Sequence, residues 1–406
     1  MADKRTRSLR ILALLLVLGR SIPVASAQVP VIDTTTLPHL LEKLDFTPPE
    51  KFKALVVEIT LEEEGERKSV AKERWFDWRG TSLQTDWNAA STVKLYAAVA
   101  ALRAIAERQV SPDAKVSFEG ISDPGESQTV ANLVRLAIVP SDNIAFNRLV
   151  ILAGYDYVHK DFLQNLLGIR TTALNLSYAS SQWVRLGGQP ILHDSPTVLL
   201  KGRRHKCTVP EQEQAGCRSQ CDCPEGRHGK HCRTRCERRC ARCPQSVTIP
   251  ARQGNPVSVC ENPLSSCTTL ADLAECMRRL VLQEELENAA AQAGQEPKLR
   301  LLPDYTYWKI IVRALKGYGR KRGNNVQRGL RYGFHPRNIS TYNKPGFANK
   351  WMSDVVYILE PHSNRRWIVA MAGWPGRSSL DKASRLIGRI LSSGALARAP
   401  HAGNGE

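Results

Sequence analysis

The sequence predicts an α/β sandwich in which one antiparallel sheet, built from the two ends of the chain, is flanked by helices. Two alternating segments near the N-terminus, Ala54–Leu61 and Lys68–Asp77, surround a turn at Gly65 and predict a hairpin. A second hairpin is predicted near the C-terminus, from Asp354–Leu359 and Trp367–Ala372. The regular apolar segments between them have a helical period. Strands at both ends with helices between are typical of a sheet covered by helices.

Helices are predicted where apolar residues recur with helical spacing. The run from Thr92 to Glu107 is rich in Ala and Leu, which predicts a long helix that is buried nearly all round. Shorter helices are predicted over Leu37–Leu44, Thr129–Ala137, Asn143–Leu152, Thr269–Gln283 and Leu380–Leu391. The polar stretch Gly317–Gly333, rich in Gly and Arg, is assigned no helix.

The N-terminus has the pattern of an export signal. Four basic residues precede an apolar run, Ile11–Leu18, and Ala25-Ser26-Ala27 then supplies the small residues that a signal peptidase reads. The sequence therefore predicts a signal peptide over residues 1–27 and a secreted or periplasmic protein. No later segment has the length and apolar content that a membrane span requires.

Cysteine usage divides the remaining chain. All eleven cysteines lie between Cys207 and Cys276, and residues 203–262 are basic, punctuated by Pro and Gly, and poor in aliphatic periodicity. An exported segment of this composition is predicted to be held by disulfides. The odd number leaves one thiol free or bonded to another chain. The main domain is assigned to residues 28–202 and 263–397, the insertion to 203–262 and a disordered tail to 398–406.

Two interpretations of the insertion stay open. The spacing of Cys221–Cys232 resembles the C-terminal half of an EGF-like module. Cys240 and Cys243, with His228 and His231 nearby, have the spacing of a zinc site. Disulfides are favoured over zinc because exported thiols meet oxidants, so no metal site and no cofactor is predicted.

The strongest chemical pattern is a serine followed three residues later by a lysine. Such a spacing at a helix start places both side chains on one face, where a neutral lysine amine can take the serine proton. The chain contains this pattern at Ser91–Lys94, Ser69–Lys72 and Ser379–Lys382. Only Ser91–Lys94 opens a long buried helix, where an unused charged lysine would be costly.

Two further motifs follow in chain order. Ser141-Asp142-Asn143 comes directly after Pro140 at the start of a predicted helix, so its side chains either cap the helix or face a cleft. Lys344-Pro345-Gly346 precedes the second hairpin, where it is either a plain turn or an edge strand that offers a positive charge and close backbone approach.

Taken in this order, the three motifs resemble those of the serine β-lactamase and penicillin-binding protein superfamily, and most closely the class A β-lactamases. The resemblance covers residues 33–202 and 263–395. It implies a β-lactamase/transpeptidase-like fold, an acyl-enzyme, and a β-lactam or peptidoglycan-like D-alanyl substrate. It implies these roles: Ser91 as nucleophile, Lys94 as base, Ser141 as proton relay, Asn143 holding the substrate amide, Lys344 binding its carboxylate, and Gly346 preceding Phe347, whose backbone N–H forms an oxyanion hole with that of Ser91.

Two departures from the class A pattern bear on activity. No Glu occurs between Glu126 and Glu211, where class A enzymes carry the glutamate that activates the deacylating water. Asp156, Asp161 and Asp194 are the candidate replacements, although they lack the surrounding pattern. In the second departure, Pro345 replaces a hydroxyl residue that would bind the substrate carboxylate. Thr341 and the basic run from Lys309 to Arg337 are candidates to compensate.

The charge of the chain indicates which class of partner or substrate it binds. The formal net charge is +18, and between Asp304 and Asp354 there is no acidic residue. Basic clusters favour anionic partners, and export favours an anionic cell-wall polymer or a carboxylate substrate over nucleic acid. An alternative to the enzyme is therefore a catalytically weak or inactive hydrolase-fold protein that binds cell-wall polymer or a protein partner through its basic, Cys-rich insertion.

Overall fold

A computed structural model gives the fold of most of the chain outside its N-terminus and the Cys-rich insertion. The predicted signal peptide, Asp194, the candidate zinc ligands and most of the insertion lie outside the described residues. Of strands 197–201 and 246–250 only the backbone is described. The structure describes residues 30–118, 128–175, 197–201, 246–250, 260, 266–297, 299–321, 325–361, 363–375 and 377–399.

The described strands form two sheets. The strands are β1 Ile32–Asp33, β2 Lys53–Glu64, β3 Arg67–Asp77, β4 Lys115–Phe118, β5 Gln128–Thr129, β6 Thr197–Lys201, β7 Ser246–Pro250, β8 Ser340–Ala348, β9 Trp351–Leu359 and β10 Arg365–Gly373. The large sheet has the order β1-β3-β2-β10-β9-β8, and the small one has the order β5-β4-β6-β7. All neighbouring pairs are antiparallel except β1 with β3.

The described helices lie between and around these strands. The α-helices are α1 Thr36–Glu42, α2 Lys94–Ala106, α3 Val130–Ile138, α4 Asn143–Ala153, α5 Leu270–Val281, α6 Gln283–Gln292, α7 Tyr305–Lys321, α8 Asn325–Phe334, α9 Arg377–Ser393 and α10 Ala395–Arg398. Two short 3₁₀-helices cover Thr81–Leu83 and Ala90–Val93, and a π-helix covers Tyr157–Leu167. Among the described helices none is long and apolar enough to cross a membrane.

The predicted sandwich is confirmed: one sheet carries helices on both faces. Strand β2 pairs with β10 in the middle of the sheet, with Val57 opposite Ile368, so the two predicted hairpins are joined directly. On one face the apolar side chains pack against α2, of which eleven of thirteen residues are buried. The other face packs against α1, α8 and α9, where Trp367 and Phe334 meet edge to face at 5.3 Å.

The sequence analysis missed several elements. The stretch Gly317–Gly333, where the sequence predicts no helix, contains the end of α7 and most of α8. Val326, Leu330 and Phe334 recur every fourth residue in α8 and are fully buried, but the Gly and Arg residues between them obscure this period. A Cβ atom on Gly333 would lie 2.6 Å from the Gly388 Cα, so the backbones of α8 and α9 approach more closely than larger residues allow.

The chain between the hairpins also contains strands that the sequence analysis did not predict. Strands β4, β5, β6 and β7 are two to five residues long, too short for a clear alternating pattern. Strand β7 lies inside the predicted insertion and pairs with β6. In the described residues, Cys260 and Cys267 form a disulfide and Cys276 is a free, fully buried thiol.

Candidate active site

Ser91 lies on a strained turn at the start of the central helix. The 3₁₀-helix Ala90–Val93 runs directly into α2, and Ala90 has a φ of 46°, in the left-handed region. The Asn88 side-chain oxygen accepts the Ala90 N–H at 2.9 Å, and the Thr92 hydroxyl donates to the Ala89 carbonyl. Such backbone strain clusters at functional sites, where the surrounding bonds hold it in place. Ser91 itself is half-buried.

Lys94 is buried one helical turn further on. Its side-chain amine donates to the Ser141 carbonyl, to the Asn143 Oδ1 at 2.5 Å and to the Ser141 hydroxyl at 3.3 Å. Burial lowers the pKa of Lys94 from 10.5 to about 8, although the nearby charge of Asp142 opposes this shift. Roughly a tenth of the amine is therefore neutral at pH 7, and this form can accept a proton.

The Ser141-Asp142-Asn143 loop caps a helix and also contacts Lys94. The Asp142 carboxylate caps α4 by accepting the Ala145 N–H at 2.6 Å, as the capping interpretation requires. Ser141 has a φ of 62°, another left-handed residue, and turns its carbonyl and hydroxyl toward Lys94. Asn143 contacts the same amine. Capping by the central residue leaves its two neighbours free to face the Lys94 amine.

Lys344 approaches the same hydroxyl from the sheet. It lies on the edge strand β8 and is fully buried, and its amine donates to the Ser141 Oγ at 2.8 Å. Burial and the charge of Lys94 lower the pKa of Lys344 well below its usual range, while Asp354 opposes the shift. The Ser141 hydroxyl thus lies between two amines whose protons are both weakly held.

Gly346 brings the end of β8 against the Ser91 turn. A Cβ atom at Gly346 would lie 2.8 Å from the Ala89 carbonyl oxygen and 3.0 Å from the Ser91 nitrogen, so a side chain does not fit there. Phe347, the next residue, has a side chain that is 54% exposed at the edge of this contact. The two residues predicted to supply oxyanion-hole N–H groups therefore lie on backbone segments that touch.

One predicted contact is absent from the resting site. In the described part of the chain, the Ser91 hydroxyl makes no hydrogen bond with the Lys94 amine, whose acceptors all belong to the 141–143 loop. Catalytic hydrogen bonds are often long without substrate and tighten in the Michaelis complex. Proton transfer from Ser91 therefore requires the amine to turn away from one of its present acceptors.

The proposed compensation by Thr341 is wrong. Thr341 is buried, accepts a hydrogen bond from the Gln327 side chain at 2.7 Å, and lies three residues before Lys344 on β8. Side chains three apart on a strand point to opposite faces, so this hydroxyl packs beneath α8 and away from the site. The basic run belongs to α7 and α8, where Lys316 lies 5.8 Å from the Tyr342 ring.

The candidate deacylation acids do not join the buried cluster. Asp156 is exposed and forms an ion pair with Lys160 at 3.1 Å, and Asp161 is also exposed. Among the described residues, the acid whose charge acts on Lys94 is Asp142, which is engaged in capping α4. Neither Asp156 nor Asp161 thus belongs to the hydrogen-bonded cluster around Lys94.

The structure adds a buried pair that the sequence analysis did not assign to the site. Asp354 on β9 is fully buried and accepts hydrogen bonds from the Asn343 side chain at 3.0 and 3.2 Å. Burial raises the pKa of Asp354 well above its usual range, although the hydrogen bonds and the charge of Lys344 oppose the shift. Asp354 is the nearby acid that favours the charged form of Lys344. Asp354 is an acidic residue at the start of a predicted apolar strand, and this is the sequence feature that could have identified it as a site residue.

Comparison with known proteins agrees with this geometry. The sequence model of the Beta-lactamase enzyme family (Beta-lactamase2) matches residues 70–211, a span that includes Ser91, Lys94, Ser141 and Asn143. The match covers about a third of the chain and supports the predicted resemblance to the serine β-lactamase and penicillin-binding protein superfamily. No curated protein matches the sequence.

Solved class A β-lactamases are similar to this chain at low identity. One is a mutant of the last common ancestor of Gram-negative bacteria class A β-lactamase, 15% identical, with a TM-score of 0.49 over 89% of this chain and 100% of that one. Another, from Xanthomonas campestris pv. campestris, is 13% identical, with a TM-score of 0.46 over 88% and 95%. Both are too distant to indicate a substrate. The family match supports a serine hydrolase-type function in general.

Proposed function

We propose that this protein is an exported serine hydrolase that forms an acyl-enzyme through Ser91 with a β-lactam or a D-alanyl-type amide or ester. The observation that carries the proposal is the Ser141 hydroxyl held between the amines of Lys94 and Lys344, at 3.3 and 2.8 Å. A site built only for folding would avoid burying two like charges beside one hydroxyl. Perturbed amines converging in this way are typical of a site for proton transfer.

The geometry supports the following sequence of events. Neutral Lys94 takes the proton of Ser91, whose oxygen attacks the substrate carbonyl, and the backbone N–H groups of Ser91 and Phe347 stabilise the oxyanion. Ser141 gives its proton to the leaving nitrogen and regains one from a neighbouring amine. Lys344 gains its full charge when a substrate carboxylate binds. Because the Asn143 Oδ1 accepts from Lys94, its Nδ2 group is directed to the substrate amide.

We further propose that deacylation is slow. No Glu occurs between Glu126 and Glu211, and both described candidate acids, Asp156 and Asp161, are exposed. Without a base near the ester, water attacks the acyl-enzyme inefficiently, and losing a general base typically costs about 10²–10⁴-fold in rate. The protein would then behave as a penicillin binder or slow peptidase rather than as an efficient β-lactamase.

Intact-mass spectrometry with a fluorescent penicillin tests both proposals. We expect one covalent adduct that persists for minutes or longer, maps to the peptide containing Ser91 and is absent in Ser91→Ala. Ser69→Ala, which removes the serine of another Ser-x-x-Lys pattern, is the matched control and should label normally. Rapid turnover of a chromogenic cephalosporin would contradict slow deacylation while leaving the acyl-enzyme in place.

The pKa of Lys94 predicts how acylation depends on pH. With a neutral ester substrate, which needs no charge on Lys344, the single-turnover acylation rate should rise about tenfold from pH 7 to pH 9. The rise follows because the neutral fraction of an amine with a pKa of about 8 increases through this range. Uncatalysed hydrolysis is subtracted with Ser91→Ala. A flat or falling profile would mean that Lys94 is not the base.

The binding-protein alternative rests on the missing glutamate and on Pro345. Strand alternation places the Pro345 ring on the face opposite Lys344, and proline has no side-chain hydroxyl to hold a substrate carboxylate. If neither a penicillin nor a broad fluorophosphonate probe labels the protein, the binding role is favoured. Retention on purified cell-wall polymer, lost when the 203–262 segment is deleted, would then support it.

A further inference from the structure

The exposed sides of helices α8 and α9 carry positive charge that the proposed reaction does not use. We call this surface the basic face, and its exposed cations are Arg328 and Arg331 of α8 and Lys382, Arg385 and Arg389 of α9. The only acid in the sequences of the two helices is Asp381. Both helices cover the sheet face opposite α2, so a ligand bound to them would leave the Ser91 site open.

The cations of the two helices form one strip. Arg328 pairs with Asp381 at 3.5 Å, and the Arg385 guanidinium lies 4.8 Å from the Tyr332 ring centroid. Moving from the first contact to the second advances both helices by four residues, so they run side by side in the same direction. The close backbone contact at Gly333 holds the two helices together. A long ligand can therefore touch both helices along its length.

Like charges on α9 are placed where they repel each other. Lys382, Arg385 and Arg389 are separated by three and four residues, a spacing that puts them on one side of the helix over about 10 Å of its length. Like charges at these spacings destabilise a helix, whereas alternating signs stabilise it, so solubility alone does not account for the pattern. Asp381 offsets little of this charge, because its carboxylate already serves both Arg385, at 2.9 Å, and Arg328. A bound anion would relieve the repulsion.

The residue types of the basic face indicate the chemistry of the anion. Four of the five exposed cations are arginines, whose planar guanidinium can form two parallel hydrogen bonds with a carboxylate or a phosphate. Tyr332 lies among them and is 59% exposed. An exposed tyrosine offers a flat apolar ring and a polar hydroxyl, a combination that suits the C–H face and the hydroxyl groups of a sugar.

The polarity of the basic face favours a polymer over a membrane. Among the described side chains of α8 and α9, Tyr332 is the one large apolar residue that is exposed. Helices that bind a bilayer surface insert several apolar side chains, so attraction to lipid headgroups would have little apolar support here. Charges spread along two parallel helices complement charges repeated along a linear chain.

We propose that the basic face binds a linear polysaccharide that carries carboxylate or phosphate groups along its chain. The polymer would lie along the seam between α8 and α9, with its anionic groups on the arginines and a sugar ring against Tyr332. This site is separate from the Cys-rich insertion, and it does not depend on acylation of Ser91.

Isothermal titration calorimetry of the full-length protein with a mannuronate hexasaccharide, which carries a carboxylate on every sugar, tests this site. We expect saturable binding that weakens at least about tenfold between about 25 and 150 mM salt, because binding releases counterions. A neutral glucose hexasaccharide should not bind. The triple variant Arg331→Gln/Arg385→Gln/Arg389→Gln should bind the mannuronate at least about tenfold more weakly than the wild type.

Matched variants separate the basic face from the charge of the whole chain and from the hydrolase. Arg67→Gln/Arg170→Gln/Arg313→Gln removes the same charge from exposed arginines outside the basic face and should bind within about twofold of the wild type. Tyr332→Leu should bind the mannuronate about threefold more weakly, but polyglutamate, which has no sugar rings, as tightly as the wild type. Ser91→Ala should bind the mannuronate with unchanged affinity, whether or not the acyl-enzyme proposal holds. Circular dichroism shows whether the variants are folded.

The proposal is overturned by absence of saturable binding, by unchanged affinity in the triple variant of the basic face, or by an equal loss in the control triple variant. Tighter binding to phosphatidylglycerol vesicles than to the mannuronate would show that the basic face binds a membrane instead. An equal loss of mannuronate and polyglutamate binding in Tyr332→Leu would overturn the contact with a sugar ring.

Discussion

Lys94→Met is expected to reduce acylation of Ser91 by about 10³-fold, within the range for loss of a general base, while leaving the protein more stable at pH 7. Methionine matches the length of lysine but can neither take a proton nor carry charge. The acylation loss follows because no other described amine lies one helical turn from Ser91. Fluorescent-penicillin labelling measured over time gives the rate.

The stability gain follows from the lowered pKa of the Lys94 amine. In the unfolded chain this amine stays protonated up to its ordinary pKa of 10.5, whereas the folded protein releases the proton near pH 8. Below pH 8 the full cost of burying the charge is present, at most about 3 kcal/mol, and it disappears as pH rises from 8 to 10.5. Lost hydrogen bonds to Ser141 and Asn143 reduce the gain, so we expect about 1–2 kcal/mol at pH 7 and none near pH 10.5.

The other Ser-x-x-Lys patterns supply matched controls. Lys72 and Lys382 are exposed, so Lys72→Met and Lys382→Met should change neither the acylation rate nor the free energy of unfolding by more than about 0.5 kcal/mol. Urea denaturation at pH 7 and pH 10 measures the latter. A destabilised Lys94→Met variant at pH 7, or one that acylates at the wild-type rate, would rule out a largely desolvated catalytic amine.

Gly346→Ala is expected to reduce acylation by about 10²-fold, because a displacement of the order of 1 Å in a reacting group has an effect of this size. The added methyl group would lie 2.7 Å from the Ser353 hydroxyl and 2.8 Å from the Ala89 carbonyl oxygen. The Ala89 and Ser91 backbone atoms belong to the turn that opens α2 and Gly346 belongs to β8, so either the end of β8 or the Ser91 turn must move. Both carry predicted oxyanion-hole N–H groups.

Gly373→Ala separates this effect from general damage to the sheet. Gly373 ends β10 in the same sheet, but the three atoms nearest to a methyl group added there all belong to the flexible Leu380 side chain, the first at 3.0 Å. We expect this variant to acylate at close to the wild-type rate. Equal losses in the two variants would show that the close approach at Gly346 has no special role in the chemistry.

The sequence was sufficient to predict the four central strands of the large sheet for identifiable reasons. The two hairpins alternate clearly, and the Ala-rich helix after Ser91 has no competing interpretation. The elements that carry the Ser91, Ser141 and Lys344 motifs could be predicted because a helix start, a helix cap and an edge strand are local structures that short sequences specify. Their meeting at the Ser141 hydroxyl depends on tertiary packing.

What the sequence did not predict depends on longer-range packing. Helix α8 is stabilised by its close contact with α9. The glycines at 333 and 388 allow this contact, but their presence in the sequence does not predict it. The orientation of Lys94 toward the 141–143 loop, rather than toward Ser91, follows from acceptors that only the folded loop presents. The position of Thr341 could have been predicted from the sequence. Side chains alternate along a strand, so residues 341 and 344 lie on opposite faces of the sheet.

The pairing of β2 with β10 has a consequence for biosynthesis. Strand β2 is synthesised early, but its partner β10 is near the C-terminus. The nascent chain therefore cannot complete its sheet until translation is nearly finished. The entropy of closing so long a loop grows only with the logarithm of its length, so a large excursion such as the Cys-rich segment adds little to the cost. Long-range pairing of this kind slows folding, and in the interval the open edge of β2 is a surface that chaperones are suited to shield.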